Sequence, residues 1–581
     1  MAARPQIAAA VSSALSSLGI TVEPGDVHLE RPVRREHGDW STNVALVKAK
    51  AVGEAPRQLA ERLADALRAA PPPHLASVDV AGPGFVNVHL DPGWLHATLV
   101  EVIEAGQDGY ARSEEGKGER VQIEFISANP TGPLHVGNGW WGSYGDAMGR
   151  VLARCGWDVH REYYVNDTGG QIRALGDSVL ARRRGQEVPE GGYQGAYVAD
   201  LAASYDGPDE VEAAGRWASE RIIGNIRRTV ERMGIAFDAW YSQASIEESG
   251  AVQETIDLLR AKDLVDEEGG AVWFRSSRLG DNRDRVLVKS NGDPTYLAGD
   301  LAYHRDKFLV RGFDRVIDIF GADHAGQVKS LELAMEALGV PPGRLEVKIG
   351  QMVQVIMPTD LLADAPGSGA DEAGESAGGE PGGGEDGQDG GAEQGSGSAG
   401  KAVRMSKRAG NFVALDTLID DIGVDATRLL SLMSSLDQST TVDIRVVREQ
   451  SMENPVYYVQ YAYARICSIE RVRAERGIDR RPLAHTDLGL LVHPRELEVL
   501  RALEILPDVV ADAGRDRAPH KVTAWVRDLA GTFHGFYHDC PVLADAVGEE
   551  LGQARLWLVE AARVGFVIGL GLLGVSAPES M

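Results

Sequence analysis

The chain has 581 residues, 43% hydrophobic and 25% charged, enough for several domains of the usual ~100 to 200 residues each. Its net charge of -27 argues at first against a polyanionic partner, and its three cysteines, Cys155, Cys467 and Cys540, form no CxxC, which excludes a disulfide framework and a Cys-rich zinc site. A reducing, cytoplasmic setting fits. The opening MAARPQIAAAVSSALSSLGI lacks the apolar core of a signal peptide, and the most apolar stretch, Val564 to Val575, is shorter than the ~20 residues that span a bilayer, so no membrane partner is expected.

In chain order, residues 1 to 112 read as an α+β module: a helix near Ile7 to Leu18, a strand at Val27 to Leu29, a helix at Pro56 to Ala69 and a strand at Ser77 to Leu90. Gly38 in HGDWSTN and Gly82-Pro83-Gly84 in AGPGFVNV are turn formers. After the polar linker SEEGKGE, Val121, Ile123 and Phe125 share one parity, as in a half-buried strand. The run breaks at Asn129-Pro130 and restarts with helical spacing at Trp141, Tyr144, Met148 and Leu152, so a helix starts near His135. Unpaired N–H groups and the positive end of that helix suit a phosphate beside His135. A second strand, Val159 to Val165, ends at Asn166-Asp167-Thr168-Gly169-Gly170, and strand, helix, strand is the crossover unit of a doubly wound parallel sheet. Residues 171 to 262 read as mainly helical, including Arg216 to Met233. Strand character resumes at Ala271 to Phe274 and Arg285 to Lys289, and Arg315 to Phe320 ends at Gly321-Ala322-Asp323-His324, with Leu345 to Met352 beyond it. HVGN, NDTGG, YLAGD and GADH are thus expected at strand ends of one sheet, where ligands of such folds lie.

Residues 363 to 401 hold nine acidic residues before Lys401 and hardly any apolar side chain larger than Ala, a composition expected to be disordered and tolerated as a surface insertion. These residues supply a third of the surplus negative charge, while Arg31, Arg34 and Arg35, Arg182 to Arg184, and Arg221, Arg227 and Arg228 form local basic clusters. Net charge therefore does not exclude RNA. A cationic loop, Val403-Arg404-Met405-Ser406-Lys407-Arg408, follows the insertion. From Ala426 onward the chain reads as helical, at Asn454 to Arg473, Arg495 to Ala513, His520 to His538 and Gly552 to Leu573. His135 at a helix start and a separate loop with Lys407 suit charge neutralisation in an in-line displacement at a nucleotide phosphate, and no Walker loop is present.

SANPTGPLHVGN resembles the HIGH signature of class I aminoacyl-tRNA synthetases, and RMSKR at 404 to 408 resembles their KMSKS loop. ANPTGPLHVG, REYYVNDTG, PTYLAGDLAY, GADH, RMSKRAGN, NPVYYVQYAYAR and the closing GVSAPESM resemble arginyl-tRNA synthetases over nearly the whole chain outside 363 to 401. The resemblance implies three parts: a tRNA-contacting N-terminal domain over 1 to 112, a Rossmann-like α/β catalytic domain with a parallel sheet over 113 to 425, and an all-α anticodon-binding domain over 426 to 581. It implies an arginine–tRNA ligase whose partners are arginine, tRNA(Arg) and ATP, the last as its Mg2+ complex, with no zinc and no protein-bound metal, expected to act as a monomer. In that family the arginine carboxylate attacks the α-phosphate, releasing pyrophosphate, and the acyl group passes to the terminal adenosine of the tRNA, which must be bound for activation. Carried onto this sequence, His135, Gly137 and Asn138 take the ATP signature, with Arg404, Met405, Ser406 and Lys407 in the loop that grips pyrophosphate. Asn129, Tyr296, Asp300 and His324 take the arginine site, Asp300 as a carboxylate able to pair with a guanidinium. Three departures stand out: Asn138 replaces the last His of HIGH, Arg404 replaces the first Lys of KMSKS, and Gln243, with Glu247 and Glu248 nearby, stands where an acidic residue is expected. The rival readings are a class I nucleotidyltransferase acting on another acceptor and a tRNA-binding paralogue with impaired catalysis.

Overall fold

The structure is a computed structural model that describes residues 3–32, 34–321, 326–351, 353–357, 401–402 and 413–581. Contacts group the chain into two units, Met1–Lys117 with Arg150–Trp157 and Tyr457–Met581, and Gly118–Gly149 with Asp158–Val456.

The first unit opens with α1 (Ala3–Ser17), β1 (Leu29–Glu30), β2 (Trp40–Thr42), α2 (Val44–Val52), α3 (Pro56–Ala69), β3 (Leu75–Ala81), β4 (Phe85–Leu90) and α4 (Gly93–Gly109). The strands form an antiparallel sheet in the order β1-β2-β4-β3. Helix α3 starts on Pro56 and buries Leu59, Ala60, Leu63, Ala64 and Leu67, the three- and four-residue spacing of a core-facing stripe. The stretch expected as one strand from Ser77 to Leu90 is instead a hairpin, because Gly82 and Gly84 adopt positive φ and reverse the chain between β3 and β4. The strand expected at Val27 to Leu29 pairs only from Leu29 onward, since Pro24 to Asp26 close a 3-10 turn first. Gly38, with φ +92, brings its backbone so near β4 that a Cβ there would lie 2.7 Å from the Val88 carbonyl oxygen.

The rest of this unit is helical, at Pro455–Glu475 from Tyr457 onward, Pro494–Glu504, Leu506–Asp516, His520–Asp539 and Glu549–Leu573. The expected single helix from Arg495 to Ala513 breaks at Ile505, just before Pro507, which has no N–H for the ladder. Glu549–Leu573 is 25 residues and, by length and composition alone, long and apolar enough to cross a membrane, more than the twelve-residue stretch expected; its apolar side chains, including Val559, Phe566 and Leu573, are buried inside the unit.

The second unit is built on five parallel strands, β5 (Arg120–Glu124), β6 (Asp158–Val165), β7 (Ala239–Ser242) and, after three strands of another sheet, β11 (Arg315–Gly321) and β12 (Leu345–Gly350), in the order β12-β11-β5-β6-β7. Central β5 is buried on both faces: Val121 and Ile123 face one side, while Gln122 and Glu124 are equally enclosed on the other, so the expectation of a half-buried strand fails at two polar positions. Helices α5 (Val136–Arg154), α6 (Gly170–Arg183), α7 (Ala196–Ser204), α8 (Val211–Arg232), α9 (Gln243–Glu248) and α10 (Ala251–Arg260) run between β5 and the second sheet. That sheet is small and antiparallel, β8 (Val265–Glu268), β9 (Ala271–Phe274) and β10 (Arg285–Val288), and leads into α11 (Tyr296–Arg305). YLAGD therefore opens a helix after this separate sheet and does not end a strand of the parallel one, whereas HVGN and NDTGG follow β5 and β6, and Gly321 ends β11.

Candidate active site

The start of α5 has the geometry of a capping box built on a histidine. His135 is the N-cap residue. Its backbone N–H donates to Asn138 Oδ1 at 3.1 Å, and the Asn138 N–H donates back to His135 Nδ1 at 3.3 Å. Two donors that a helix start leaves unpaired are satisfied by this exchange. Because Nδ1 accepts, the ring's hydrogen sits on Nε2, which can donate to an oxyanion. Gly137 completes the turn: a Cβ there would stand 3.0 Å from the His135 ring. Asn138 is buried and His135 half-buried.

The same turn is held by the chain that resumes after the cationic loop. His135 bridges Ala414, the Val136 N–H donates to the Val413 carbonyl at 3.3 Å, and the Leu415 N–H donates to the Leu134 carbonyl at 2.8 Å. Val136 and Trp140 pack with Val413, Leu418 and Leu430 in one cluster. The segment that leaves RMSKR thus returns to HVGN by both backbone and apolar contact. Arg404, Met405, Ser406, Lys407 and His324 lie outside the described residues.

Between β5 and α5 the chain turns through Ile126 and Ser127, at φ 69 and 35, a conformation uncommon for side-chain-bearing residues. The Tyr163 hydroxyl donates to the Ala128 carbonyl at 2.8 Å and the Tyr197 hydroxyl to the Thr131 carbonyl at 2.7 Å, fixing the loop on either side of half-buried Asn129. Tyr296 begins α11, capped by the Thr295 side chain, and is 64% exposed; Asp300, four residues on, occupies the same helix face and is half-buried. Burial and, next, the Asp300 charge hold the Tyr164 hydroxyl far above its ordinary range, which places that carboxylate's field at the end of β6. Gln243, first residue of α9, donates to Glu247 at 2.7 Å, and Glu247 also accepts from Thr168 at 3.2 Å, while Asp167 takes the Ser242 hydroxyl at 2.6 Å and the Ala244 N–H at 3.0 Å. A carboxylate accordingly sits beside Gln243, carried one helical turn later.

Beneath this rim lies a buried ionic cluster that periodicity did not reveal. After α11 the backbone widens into a π turn, Asp306–Val310, and the fully buried Lys307 ammonium lies 2.7 Å from Glu124 and 2.8 Å from Asp318. His304 contacts the same Asp318 through Nε2 at 2.6 Å, and its Nδ1 lies 2.7 Å from the Asp300 carbonyl. Glu162 accepts from Tyr303 and Gln122 and is gripped by both terminal nitrogens of Arg311. Burial alone would raise the carboxyls of Asp318 and Glu162. For Asp318 the charges of Lys307 and His304, and for Glu162 the hydrogen bonds of His160 and Arg311, outweigh it and hold both below the usual range. The signal for this cluster was present in RVQIE and RVIDIF, where a charge interrupts an otherwise buried strand.

Similarity to known proteins agrees with this architecture. Family models match in three consecutive blocks: the arginyl tRNA synthetase N terminal domain over residues 5–90, the class I (R) tRNA synthetase catalytic domain over 101–349 and the DALR anticodon binding domain over 459–581. With its parallel sheet and its helix-start signature after the central strand, the chain is a class I aminoacyl-tRNA synthetase and hence a ligase. The arginine–tRNA ligases of Moorella thermoacetica and Frankia alni are 40% and 42% identical to it, each covering 99% of this chain and 97% or 98% of the relative. The Thermus thermophilus arginyl-tRNA synthetase structure, 21% identical, covers the full length of both chains with a TM-score of 0.73 and agrees in fold. The chain belongs to the arginyl-tRNA synthetase family.

Proposed function

We propose that this enzyme joins arginine to tRNA(Arg) in two steps at the rim of the parallel sheet. An arginine carboxylate oxygen attacks the α-phosphorus of ATP, a P–O bond forms, the bond to the β-phosphate oxygen breaks, and pyrophosphate leaves. The arginyl group then passes to the 3′ end of the tRNA and AMP departs. The reading is carried by the His135–Asn138 box and its backbone tie to Val413–Leu415, because that tie brings the exit of RMSKR to the helix start.

In this reading the N-terminal dipole of α5 and the His135 Nε2–H face the triphosphate, Gly137 allows close approach, and Asn138 caps the turn without adding charge. Arg404, Met405, Ser406 and Lys407 close over the departing pyrophosphate, and Mg2+ enters with ATP as part of the substrate. Asn129 meets the α-amino end of arginine, Asp300 pairs with its guanidinium, and Tyr296 and His324 complete that pocket. Glu247 supplies the acidic charge missing at Gln243. The division into residues 1–112, 113–425 and 426–581, with 363–401 an insertion in the middle part, is supported by the three family blocks. Three free cysteines fit a reducing, cytoplasmic setting, and in this reading the enzyme acts there as a monomer.

The test is ATP–pyrophosphate exchange with each of the standard amino acids, with and without tRNA. Exchange with arginine only when tRNA is present is the expected result. Exchange with another amino acid, or exchange that needs no tRNA, would overturn the assignment, and tRNA binding without any exchange would point to the impaired paralogue.

A further inference from the structure

The segment that braces the His135 turn is itself held from α8. Ala414 and Leu415, which meet His135 and Leu134 through the main chain, lead into the helix Leu415–Ile422. The next residue, Asp416, is gripped on both carboxylate oxygens: Oδ2 accepts the hydroxyl of buried Thr229 at 2.6 Å, and Oδ1 accepts from Arg232. The other terminal nitrogen of Arg232 reaches Asp420, one turn further along the same helix. Just past α8 the Met233 carbonyl accepts the buried Arg428 guanidinium at 2.8 Å, and Arg428, on the helix Val424–Ser431, also pairs with buried Asp146 of α5. The end of α8 is thus bonded to the helices Leu415–Ile422 and Val424–Ser431. Contact with α5 is close: a Cβ on Gly139 would lie 2.5 Å from Leu415 Cδ1, and Leu418 packs with Val136 and Trp140. In so tight a fit, a shift of the helix Leu415–Ile422 is passed to the turn it braces. The Arg232 and Asp416 side chains are 42% and 40% exposed, so their pairing adds little stability; its consequence is geometric, a carboxylate fixed from two sides.

We propose that Asp416, held by Thr229 and Arg232, is a positioning residue for ATP. It sets where Ala414 and Leu415 stand against the α5 capping box, and so the aim of the His135 Nε2–H, without touching ATP itself. The proposal rests on the assignment of His135 to the triphosphate. The loop around Asn129 has its own ties, the Tyr163 and Tyr197 hydroxyls on the Ala128 and Thr131 carbonyls, and Asp300 lies on α11. Loss of the Asp416 bridge therefore falls on ATP use more than on arginine affinity. A misplacement of about 1 Å at a binding group is expected to reduce its contribution roughly tenfold.

ATP–pyrophosphate exchange by the full-length enzyme, with tRNA and arginine present, tests this. Asp416→Ala is expected to lower kcat/KM for ATP about tenfold, with the arginine KM within about threefold of the parent and the thermal midpoint little changed. Asp416→Asn keeps an acceptor for the Thr229 hydroxyl and is expected to recover part of the loss. Thr229→Val keeps the side-chain shape, removes only that donor, and is expected to lower kcat/KM for ATP about threefold. Because Thr229 acts through Asp416, the double variant should be no worse than Asp416→Ala alone. His135→Ala is the control for the assignment, with kcat/KM for ATP lowered by about a hundredfold. Parental ATP kinetics in Asp416→Ala, or in Thr229→Val where the alanine variant does not fold, beside a His135→Ala enzyme that loses ATP use, would overturn the positioning role and leave the assignment standing. Normal ATP use by His135→Ala would remove the assignment and the proposal with it. Equal losses toward ATP and arginine in Asp416→Ala, or a double variant in which the two single losses add, would also overturn it.

Discussion

Among the described residues, the helix starts at Val136 and Pro494, one in each unit, are both capped by a preceding histidine, and they solve the same problem with different third residues. At α5, His135 is capped by neutral Asn138. At Pro494–Glu504, His493 is the N-cap and Glu496 the partner: the His493 N–H donates to Glu496 at 2.9 Å, and the Arg495 N–H donates to the histidine Nδ1 at 3.2 Å. A carboxylate is the better partner for the positive end of a helix, and here it is also bonded at 2.7 Å to Arg555, which is buried beside it. The start of α5 forgoes that advantage. A carboxylate at Asn138 would place its own charge at the proposed anion site, whereas an amide that accepts one hydrogen bond and carries no charge is compatible with both a capped helix and a phosphate. What distinguishes the structural helix start from the one proposed to bind ATP is therefore the charge of the cap, with the histidine in common.

The comparison breaks most visibly if the charged cap is removed. Glu496→Ala leaves Arg555 buried with, among the described residues, the Pro541 carbonyl as its bonded acceptor, and it should lower the stability of the first unit by about 4 kcal/mol. Urea unfolding, with hydrogen exchange followed over residues 494–504, measures this, and exchange kinetics on enzyme that remains folded should be close to the parent. Loss of less than about 1 kcal/mol would mean that Arg555 re-solvates and that the charge of the cap is incidental.

The far end of the same helix sharpens the point. Glu504 is buried, is paired among the described residues with Arg31, and lies near Asp508 and Asp39 at the negative end of the helix. Desolvation outweighs Arg31 and pushes its carboxyl up from 4.5 to about 7. The folded chain thus holds this proton more tightly than the unfolded chain does. Its stabilising contribution is full below pH 4.5 and is lost as the pH rises through 7, amounting to about 3 kcal/mol. The sign is opposite for Asp318 and Glu162, whose lowered carboxyls stabilise the second unit above the ordinary carboxylate range and fail it in acid. The protection of 494–504, corrected for the intrinsic rise of amide exchange with pH, should therefore fall between pH 5 and about 8, and Glu504→Gln should abolish that fall.

Much of this organisation is legible in the residues. The alternation of Val121, Ile123 and Phe125, the break at Asn129-Pro130 and the helical spacing from Trp141 define a strand, loop and helix that the structure contains, because local period and turn chemistry decide them. The parity argument fails at Gln122 and Glu124, since a central parallel strand is enclosed on both faces and a buried charge is allowed wherever Lys307 can reach it from nearly two hundred residues away. The same distance problem hides the placement of YLAGD, whose helical start is fixed by Thr295 but whose preceding sheet depends on pairing between β9 and β10. The α5 capping box was unreadable for a local reason: its residues are His and Asn where the usual pattern asks for Ser or Thr and Glu or Gln.

The smallest expected effects separate capping from charge at Asn138 itself. Asn138→Asp keeps an acceptor for the His135 N–H, so the helix start should remain as stable as the parent or better. The added negative charge, a few ångströms from the phosphates, should lower kcat/KM for ATP roughly thirtyfold, about 2 kcal/mol at the screening typical of a partly buried site. Asn138→Ala has the reverse profile. The Asn138 backbone N–H still reaches Nδ1, so the ring keeps its tautomer, but the His135 N–H loses its acceptor at about 1 kcal/mol, and kcat/KM for ATP should fall only about fivefold. In both variants the arginine KM should stay within about twofold, because the bonds altered run between His135 and Asn138 within the helix start. If alanine proved as damaging to ATP use as aspartate, charge would not be what distinguishes the two histidine-capped helices, and the amide would have to act on the nucleotide directly.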